Sequence, residues 1–271
     1  IKNEDFNLSA QLKIFSQQDK VYLEFQSYID QIDVTKINQN IPKALANTQS
    51  TIWLDKVITE GVLTDIMLTT RFNISGELET PNTKFSANLK DAKLNVNDSW
   101  APITDLNAKV TFSNDYVNIT GRNAKINFID LKYINISTRN FNKPEAQLVL
   151  NGRFNSDSET ISQFLEQSPV PVRVKDYLRE FEMIGDVWGN VSIVSPFQQD
   201  TKKNFEVDID MYLTDNTLRL FDKKFSVEQY NSQISYHDGM IQTKGKGLIG
   251  GESFELALNP SDWVDDQSSK L

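Results

Sequence analysis

Hydrophobic and polar residues alternate with a period of two along most of this chain. Such a pattern is typical of strands that bury one face and leave the other in water, and a long series of them predicts an antiparallel meander. The first runs lie between Phe6 and Ile29 and predict a hairpin. Alternation returns at residues 62–72, continues from Phe85 to Leu150, and resumes at 187–194, 205–213 and 254–258.

The period changes first after the hairpin, where two short helices are predicted. Asp33 is placed to cap a helix over Val34–Asn40, and Ser50 to cap another over Thr51–Thr59. Gly61 is predicted to end the second of them.

A second helical stretch interrupts the strands near the middle of the chain. Ser156 and Glu159 have the spacing of a capping box before the apolar Ile161–Leu165. A further helix is predicted over Val174–Phe181, ended by Gly185.

The strand pattern is duplicated. The stretch Leu89–Leu94 aligns with Leu213–Leu218, a separation of 213 − 89 = 124 residues, and the same separation places Gly121 on Gly245. A duplicated β unit of this length predicts an extended, modular sheet. The fold class is therefore mainly β: an extended, curved antiparallel sheet with short helices between two duplicated β units. The predicted divisions are a hairpin, two helices and a returning strand (1–84), a first β repeat (85–155), a helical insert (156–186), a second β repeat (187–260) and a polar tail (261–271).

Composition narrows the classes of function. The 28 basic and 37 acidic residues give a net charge of −9, with no Lys/Arg cluster that would neutralise phosphates, which disfavours nucleic acid as a partner. The absence of cysteine excludes disulfides, thiolate catalysis and cysteine-ligated metals. No apolar run reaches the length of a membrane span. Because the chain starts at Ile1 rather than Met, it is interpreted as a piece of a longer protein.

Motifs with catalytic chemistry are weak. His237 is the single histidine and is predicted to lie in a solvated hairpin turn. Gly245, Gly247 and Gly250 match a dinucleotide-binding pattern, but an alternating strand follows them where that mechanism needs a helix. They are interpreted as a tight bend or close strand crossing. Asp208 and Asp210 are interpreted as a solvated strand face. No enzyme, cofactor or metal is predicted.

Three passages resemble a known family. They are Ile41–Leu45 with Thr51–Leu63, Phe85–Leu106, and Ile161–Pro169 continuing to Val191. In these passages and their order, the chain resembles the central region of the YhdP/AsmA-like envelope proteins, which are related to TamB and include a domain of unknown function. The resemblance covers roughly residues 20 to 260.

The resemblance implies a repeating β-groove whose apolar concave face carries phospholipid acyl chains. It also implies a periplasmic segment of a parent protein anchored in the inner membrane of a Gram-negative cell, with neighbouring segments of that parent and other envelope proteins as further partners. Groove residues are defined by alternation rather than by a motif. The candidates are Phe85, Leu89, Leu94, Val110, Phe112, Val117, Ile119, Ile126, Phe128, Leu148, Leu150, Val207, Ile209, Met211, Leu213, Leu218, Ile234, Tyr236, Ile241 and Leu256.

Two alternatives stay open at this point. The apolar faces could instead form a closed core, which would make the chain a structural or interaction module with open strand edges. A glycan-active enzyme or binder is the third hypothesis, with Trp53, Trp100, Trp188 and Trp263 as platforms. Ile209→Asp or Met211→Asp is expected to abolish lipid occupancy if these residues face a groove.

Overall fold

Fifteen strands form one antiparallel sheet in the computed structural model. The structure describes residues 6–37, 56–75, 81–96, 100–114, 116–139, 146–168, 172, 175, 179, 181–196, 206–220, 224–237 and 240–258. The strands are β1 (Leu8–Gln17), β2 (Lys20–Asp33), β3 (Ile58–Asn73), β4 (Asn82–Leu94), β5 (Ile103–Ser113), β6 (Val117–Arg122), β7 (Ala124–Ile126), β8 (Ile129–Arg139), β9 (Gln147–Asp157), β10 (Phe181–Ile184), β11 (Asp186–Pro196), β12 (Glu206–Leu220), β13 (Phe225–His237), β14 (Met240–Ile249) and β15 (Glu252–Leu258).

Strand order in the sheet follows strand order in the chain. Two short strands lie off the main path: β10 pairs with β12, and β7 pairs with β5 and β8. All pairings are antiparallel, so the predicted meander and the mainly β fold class are confirmed. Phe128 is an exception to the predicted pattern, because it lies in the turn between β7 and β8 rather than on a strand, with 86% of its surface exposed.

The core lies against one face of this sheet, called the inner face below. A single cluster of buried apolar side chains runs from Ile32 on β2 to Ile241 on β14. Leu94, Ile119, Ile134 and Ile136 within it are fully buried. A smaller cluster of Leu218, Val227 and Tyr230 forms on the last strands. Burial of these apolar side chains is the main favourable term that holds the strands in register.

An α-helix that the structure describes in full, α1 (Ser158–Gln167), follows β9 and packs on the sheet. Its N-cap is Asp157, whose side chain accepts a hydrogen bond from the backbone amide of Thr160, so the capping box predicted from Ser156 was wrong by one residue. The hydroxyl of Ser158 donates to the carbonyl oxygens of Met183 (2.7 Å) and Gly185 (3.1 Å), which fastens the helix to the next strands.

The predicted helix ends at two glycines are also wrong. Gly61 lies inside β3, which begins at Ile58, and Gly185 lies between β10 and β11. Both have positive φ angles, 130° and 135°. Asp33 does cap a helix as predicted, but it is a 3-10 turn over Val34–Lys36. The second predicted helix is helical at 56–57, but its last two residues, Ile58 and Thr59, belong to β3. The helix predicted over Val174–Phe181 is helical at 175 and 179, and Phe181 already begins β10. Residues 38–40, 51–55, 174, 176–178 and 180 of the predicted helices lie outside the described residues.

The duplication also includes glycines and helix caps, not only the alternating strands. The 124-residue separation also relates Gly61 to Gly185 and the two helix caps, Asp33 to Asp157. It preserves strand pairing: Leu63 pairs with Leu89, as Val187 pairs with Leu213, and Phe85 pairs with Phe112, as Ile209 pairs with Tyr236. The chain therefore contains two tandem units of equivalent strands, called the first and second unit below.

The two units also share a strand bulge at the same position, which is a more specific sign of duplication than the strands themselves. Asp91 and Asp215 both have left-handed backbones, with φ of 48° and 58°. In each unit an asparagine side chain forms a hydrogen bond with this bulge: Asn107 accepts from the amide of Asp91 at 3.4 Å, and Asn231 accepts from the amide of Asp215 at 3.1 Å. Bulges bend the strand that carries them, so their repetition repeats the bend.

Candidate functional site

An apolar trough opens on the inner face where α1 crosses the sheet. Strands β5, β7, β8, β9, β11 and β12 form its floor, while α1 and the segment before β5 form its walls. The lining residues are Val96, Trp100, Ala101, Ile103, Ile126, Ile129, Leu131, Ile134, Leu148, Leu150, Gly152, Phe154, Ile161, Phe164, Leu165, Val191, Ile193, Ser195, Ile209 and Met211. The trough holds about 110 Å³ that the centre of a water molecule could occupy, whereas one water needs only about 10–15 Å³ of such space.

The wall is built by one face of α1. Ile161 and Leu165 are buried, at 4% and 6% exposure, and belong to the main core cluster. Phe164 points to Trp100, with ring centroids 6.1 Å apart and a tilt of 37°. Residues three and four apart share a helix face, so Ile161, Phe164 and Leu165 form a continuous apolar wall.

The trough offers almost no polar chemistry. Ser195 is the one lining residue with a side-chain hydroxyl, and it donates to the carbonyl oxygen of Pro196 at 3.1 Å. The indole Nε1 of Trp100 is buried and has no hydrogen-bond partner. The described lining residues include no carboxylate, imidazole or amine, and a cavity of this composition favours hydrocarbon over water.

Five of the groove candidates line the trough: Ile126, Leu148, Leu150, Ile209 and Met211. Other candidates lie in the same core cluster but are closed off by packing, among them Leu89, Val110 and Ile119. The candidates Leu218 and Leu256 belong to the smaller cluster instead. Phe85 and Phe112 stack on each other with centroids 4.6 Å apart.

Sequence reasoning did not select Ile129, Leu131, Ile134, Phe154 and Ile193, although all five line the trough. The pairing of β8 with β9 shifts between Leu131 and Tyr133, so the inward positions on β8 change parity at that point. Strict alternation along β8 cannot place Ile129, Leu131 and Ile134 on one face across this shift. Phe154 and Ile193 keep the period of their own strands but were not among the candidates.

His237 is exposed, as predicted, but it ends β13 rather than lying in the turn. Its Nδ1 lies 2.8 Å from a carboxylate oxygen of Asp208, and its Nε2 lies 3.9 Å from Asp210. Asp210 also accepts a hydrogen bond from Ser235 at 2.6 Å. Among the residues that the structure describes, no group of three His, Asp or Glu side chains is arranged to hold a metal ion.

The glycines of the dinucleotide-like pattern serve strand packing. Gly245 and Gly247 lie in β14, and Gly250 begins the turn to β15, so no helix follows them. A Cβ atom added at Gly245 would lie 2.4 Å from the hydroxyl oxygen of Tyr230, because the Tyr230 ring covers this glycine. The tight bend is found at Gly250 and Gly251, whereas Gly245 and Gly247 leave room for residues of β13 in the same sheet rather than for a strand crossing.

Two platform candidates lie outside the described residues, Trp53 and Trp263. Trp100 faces the trough, and Trp188 lies on the opposite face of the sheet with 43% of its surface exposed. Within the described ranges, no helix is both long and apolar enough to cross a bilayer.

The fold and the site together define a class of protein: an extended antiparallel β-sheet of tandem units that encloses an apolar trough. The sequence matches the YhdP protein family over residues 1–262, and the chain therefore belongs to that family. No curated protein and no solved structure matches the chain.

Proposed function

We propose that the inner face carries the acyl chains of phospholipids, as one segment of a periplasmic path between the inner and outer membranes. The observation behind this proposal is the trough, which is lined by apolar side chains and which the described part of the chain leaves open. Membership of the YhdP family supports an envelope role of this kind. The neighbouring segments of the parent protein would continue the path at either end.

Hydrocarbon is the ligand chemistry that suits this lining. Burying one methylene is worth about 0.8 kcal/mol, so a tail with about ten buried methylenes gains roughly 8 kcal/mol before the costs of association. Because this gain depends on apolar area alone, it requires no polar recognition of the headgroup. Such a path binds acyl chains of different lengths and allows them to move along it.

The apolar inner face also extends beyond the trough. On β1, Leu12 and Ile14 are 61% and 67% exposed, and they pair with Phe25 and Leu23 of β2. Phe25 and Leu23 pair in turn with Thr70 and Phe72 of β3. Apolar surface on the edge strand is consistent with a path that continues past this segment.

Native mass spectrometry with lipid extraction of the purified chain tests the proposal directly. We expect phospholipid at about stoichiometric level, and we expect Leu150→Asp to remove it. Leu150 lines the trough and is only partly buried, so a carboxylate there meets the hydrocarbon.

The matched control is Asn151→Asp, the next residue of β9, which is exposed on the opposite face. It adds the same charge to the same strand and is expected to leave lipid occupancy unchanged. A wild-type mass without acyl species in the extract would contradict the proposal and favour a closed interaction module. Equal lipid in both variants, with unchanged melting temperatures, would place the lipid elsewhere.

A further inference from the structure

Two aromatic side chains stack on the polar, outer face of the sheet, opposite to the trough. Trp188 on β11 pairs across the strands with Tyr212 on β12. Their ring centroids are 4.2 Å apart, with an angle of 17° between the ring planes. Trp188 nevertheless keeps 43% of its surface exposed. Cross-strand aromatic pairs stabilise sheets, and this pair also leaves a large indole surface open to a ligand.

The two tandem units carry different side chains at this pair of positions. The equivalent cross-strand pair of the first unit is Thr64 and Asn88, in the same register 124 residues earlier. Both of these side chains donate hydrogen bonds to the carboxylate of Asp65. The exposed aromatic pair is therefore specific to the second unit.

The geometry leaves one face of the indole available. Stacked rings on neighbouring strands stand edge-on to the sheet, so Tyr212 covers the indole face that points to β12. The other indole face points to β9, where Asn155 is the residue paired with Trp188. Asn155 is exposed, and its amide forms no hydrogen bond within the described part of the chain.

A second row of polar side chains lies beside the rings. Arg153, Asn190 and Asp210 lie opposite one another on β9, β11 and β12. One positive and one negative group border the exposed Asn190, and Asp186, which lies two residues before Trp188 and pairs with Asp157, adds negative charge beside the rings. With a net charge of −9 on the chain, this surface suits a neutral, hydrogen-bonding ligand better than a polyanion.

We propose that Trp188 and Tyr212 form a binding site for a neutral polysaccharide. The C–H groups on one side of a pyranose ring carry partial positive charge and pack against the negative face of an aromatic ring. A sugar on the free face of Trp188 lies above Asn155, whose amide both donates and accepts hydrogen bonds to hydroxyl or acetamido groups. Asn190 and Arg153 reach the next ring of the chain. The site is on the opposite face from the trough and does not depend on it.

The test is a titration of the isotope-labelled chain with chitohexaose, cellohexaose and dextran sulfate, followed by the indole N–H signal of Trp188. We expect a neutral oligosaccharide to shift this signal with a Kd of about 1 mM, or −4 kcal/mol. The deciding variant combines Trp188→Thr with Tyr212→Asn, which installs the side chains of the first unit at two positions on the outer face. Because this variant lacks the reporter indole, its binding is followed by the backbone amide signals of Asn155 and Asn190, and we expect it to weaken at least about tenfold.

Phe128→Asn is the matched control, because it removes an even more exposed aromatic side chain at a turn. It should bind as the wild type does. The proposal is overturned if neither neutral probe shifts the Trp188 signal, if dextran sulfate alone does, or if the double variant binds with unchanged affinity. Lipid occupancy of the trough is read separately by mass spectrometry and is not expected to change in the double variant.

Discussion

Asn216 packs its carboxamide onto Gly185, so closely that a Cβ atom added to this glycine would lie 2.7 Å from Cγ of Asn216. Asn216 is 1% exposed, and among the described residues neither its Nδ2 nor its Oδ1 has a hydrogen-bond partner. In the first unit the equivalent contact is between Ala92 and Gly61, where an added Cβ would lie 3.0 Å from the Ala92 Cα. The second unit thus carries a buried, unsatisfied amide at a position where the first unit has a methyl group.

We expect Asn216→Ala to raise the free energy of unfolding by about 1 kcal/mol. A buried polar group without a partner costs about 1–3 kcal/mol, and part of that gain is lost again through the smaller packed volume. The measurement is urea denaturation of the full chain, compared with the wild type.

The reciprocal variant serves as control. Ala92→Asn should destabilise the first unit by about 1–3 kcal/mol, since it introduces a buried amide into an apolar contact. If Asn216→Ala instead lowered stability by more than about 1 kcal/mol, the amide would have to make a favourable interaction, contrary to its unpartnered geometry.

The asparagines at the two bulges, Asn107 and Asn231, are predicted to contribute unequally to the free energy of unfolding. Asn231 accepts from Asp215 at 3.1 Å and donates to the carbonyl of Gln229 at 2.7 Å, whereas both bonds of Asn107 are 3.4 Å long. Asn231→Ala is therefore expected to cost about 1 kcal/mol, and Asn107→Ala less, because short bonds are stronger than long ones. Denaturant midpoints of the two variants measure this difference, and a larger loss for Asn107→Ala would contradict it.

The strand alternation was sufficient to predict the sheet, because one solvated and one buried face leave a clear period of two. The helix ends predicted at Gly61 and Gly185 were wrong, because these glycines lie inside β3 and between β10 and β11. A glycine with positive φ ends many helices, but here it permits close contact with Ala92 or Asn216 inside a sheet. This contact involves residues more than thirty positions apart in the chain, and no local pattern reports it.

The trough was predictable only in part for a similar reason. Ile209 and Met211 could be assigned to the inner face from alternation alone. Ile161 and Phe164 could not be placed against them, since helical periodicity shows which residues share a face but not which surface that face covers. The trough is a space left between α1 and the sheet, and its existence depends on where the helix docks.

The cap of α1 gives a prediction about the wall of the trough. The carboxylate of Asp157 accepts hydrogen bonds from the backbone amide and the hydroxyl of Thr160, at 2.8 and 2.7 Å, and these bonds lower the pKa of Asp157 below its usual value. Asp157→Ala should destabilise the helix by about 1 kcal/mol. Hydrogen exchange of the α1 amides is the appropriate measurement, because the loss is local.

Asp157→Asn separates capping from charge. Asparagine caps as well as aspartate does, so most of the protection of α1 should be retained in this variant. Equal loss of protection in both variants would mean that the charge, through the helix dipole, stabilises this end rather than the cap geometry.

The pair formed by Glu24 and Arg71 predicts how stability depends on pH. The Arg71 guanidinium donates to Oε2 of Glu24 from Nε at 3.1 Å and from Nη2 at 2.8 Å. These hydrogen bonds hold the pKa of Glu24 below its usual value, although its partial burial acts in the opposite direction. A carboxyl with a lowered pKa in the folded state contributes stability above its unfolded pKa, and that contribution is lost as the pH falls through the folded value. The free energy of unfolding should therefore decrease as the pH falls below about 4.5, and Glu24→Gln should make this decrease shallower while costing about 1–2 kcal/mol at neutral pH.

Glu60→Gln is the control, because the ion pair of Glu60 with Lys93 is exposed and is expected to be worth less than about 1 kcal/mol at pH 7. Denaturation series from pH 3 to 7 provide the comparison, and an unchanged acid slope in Glu24→Gln would show that other carboxylates carry the dependence.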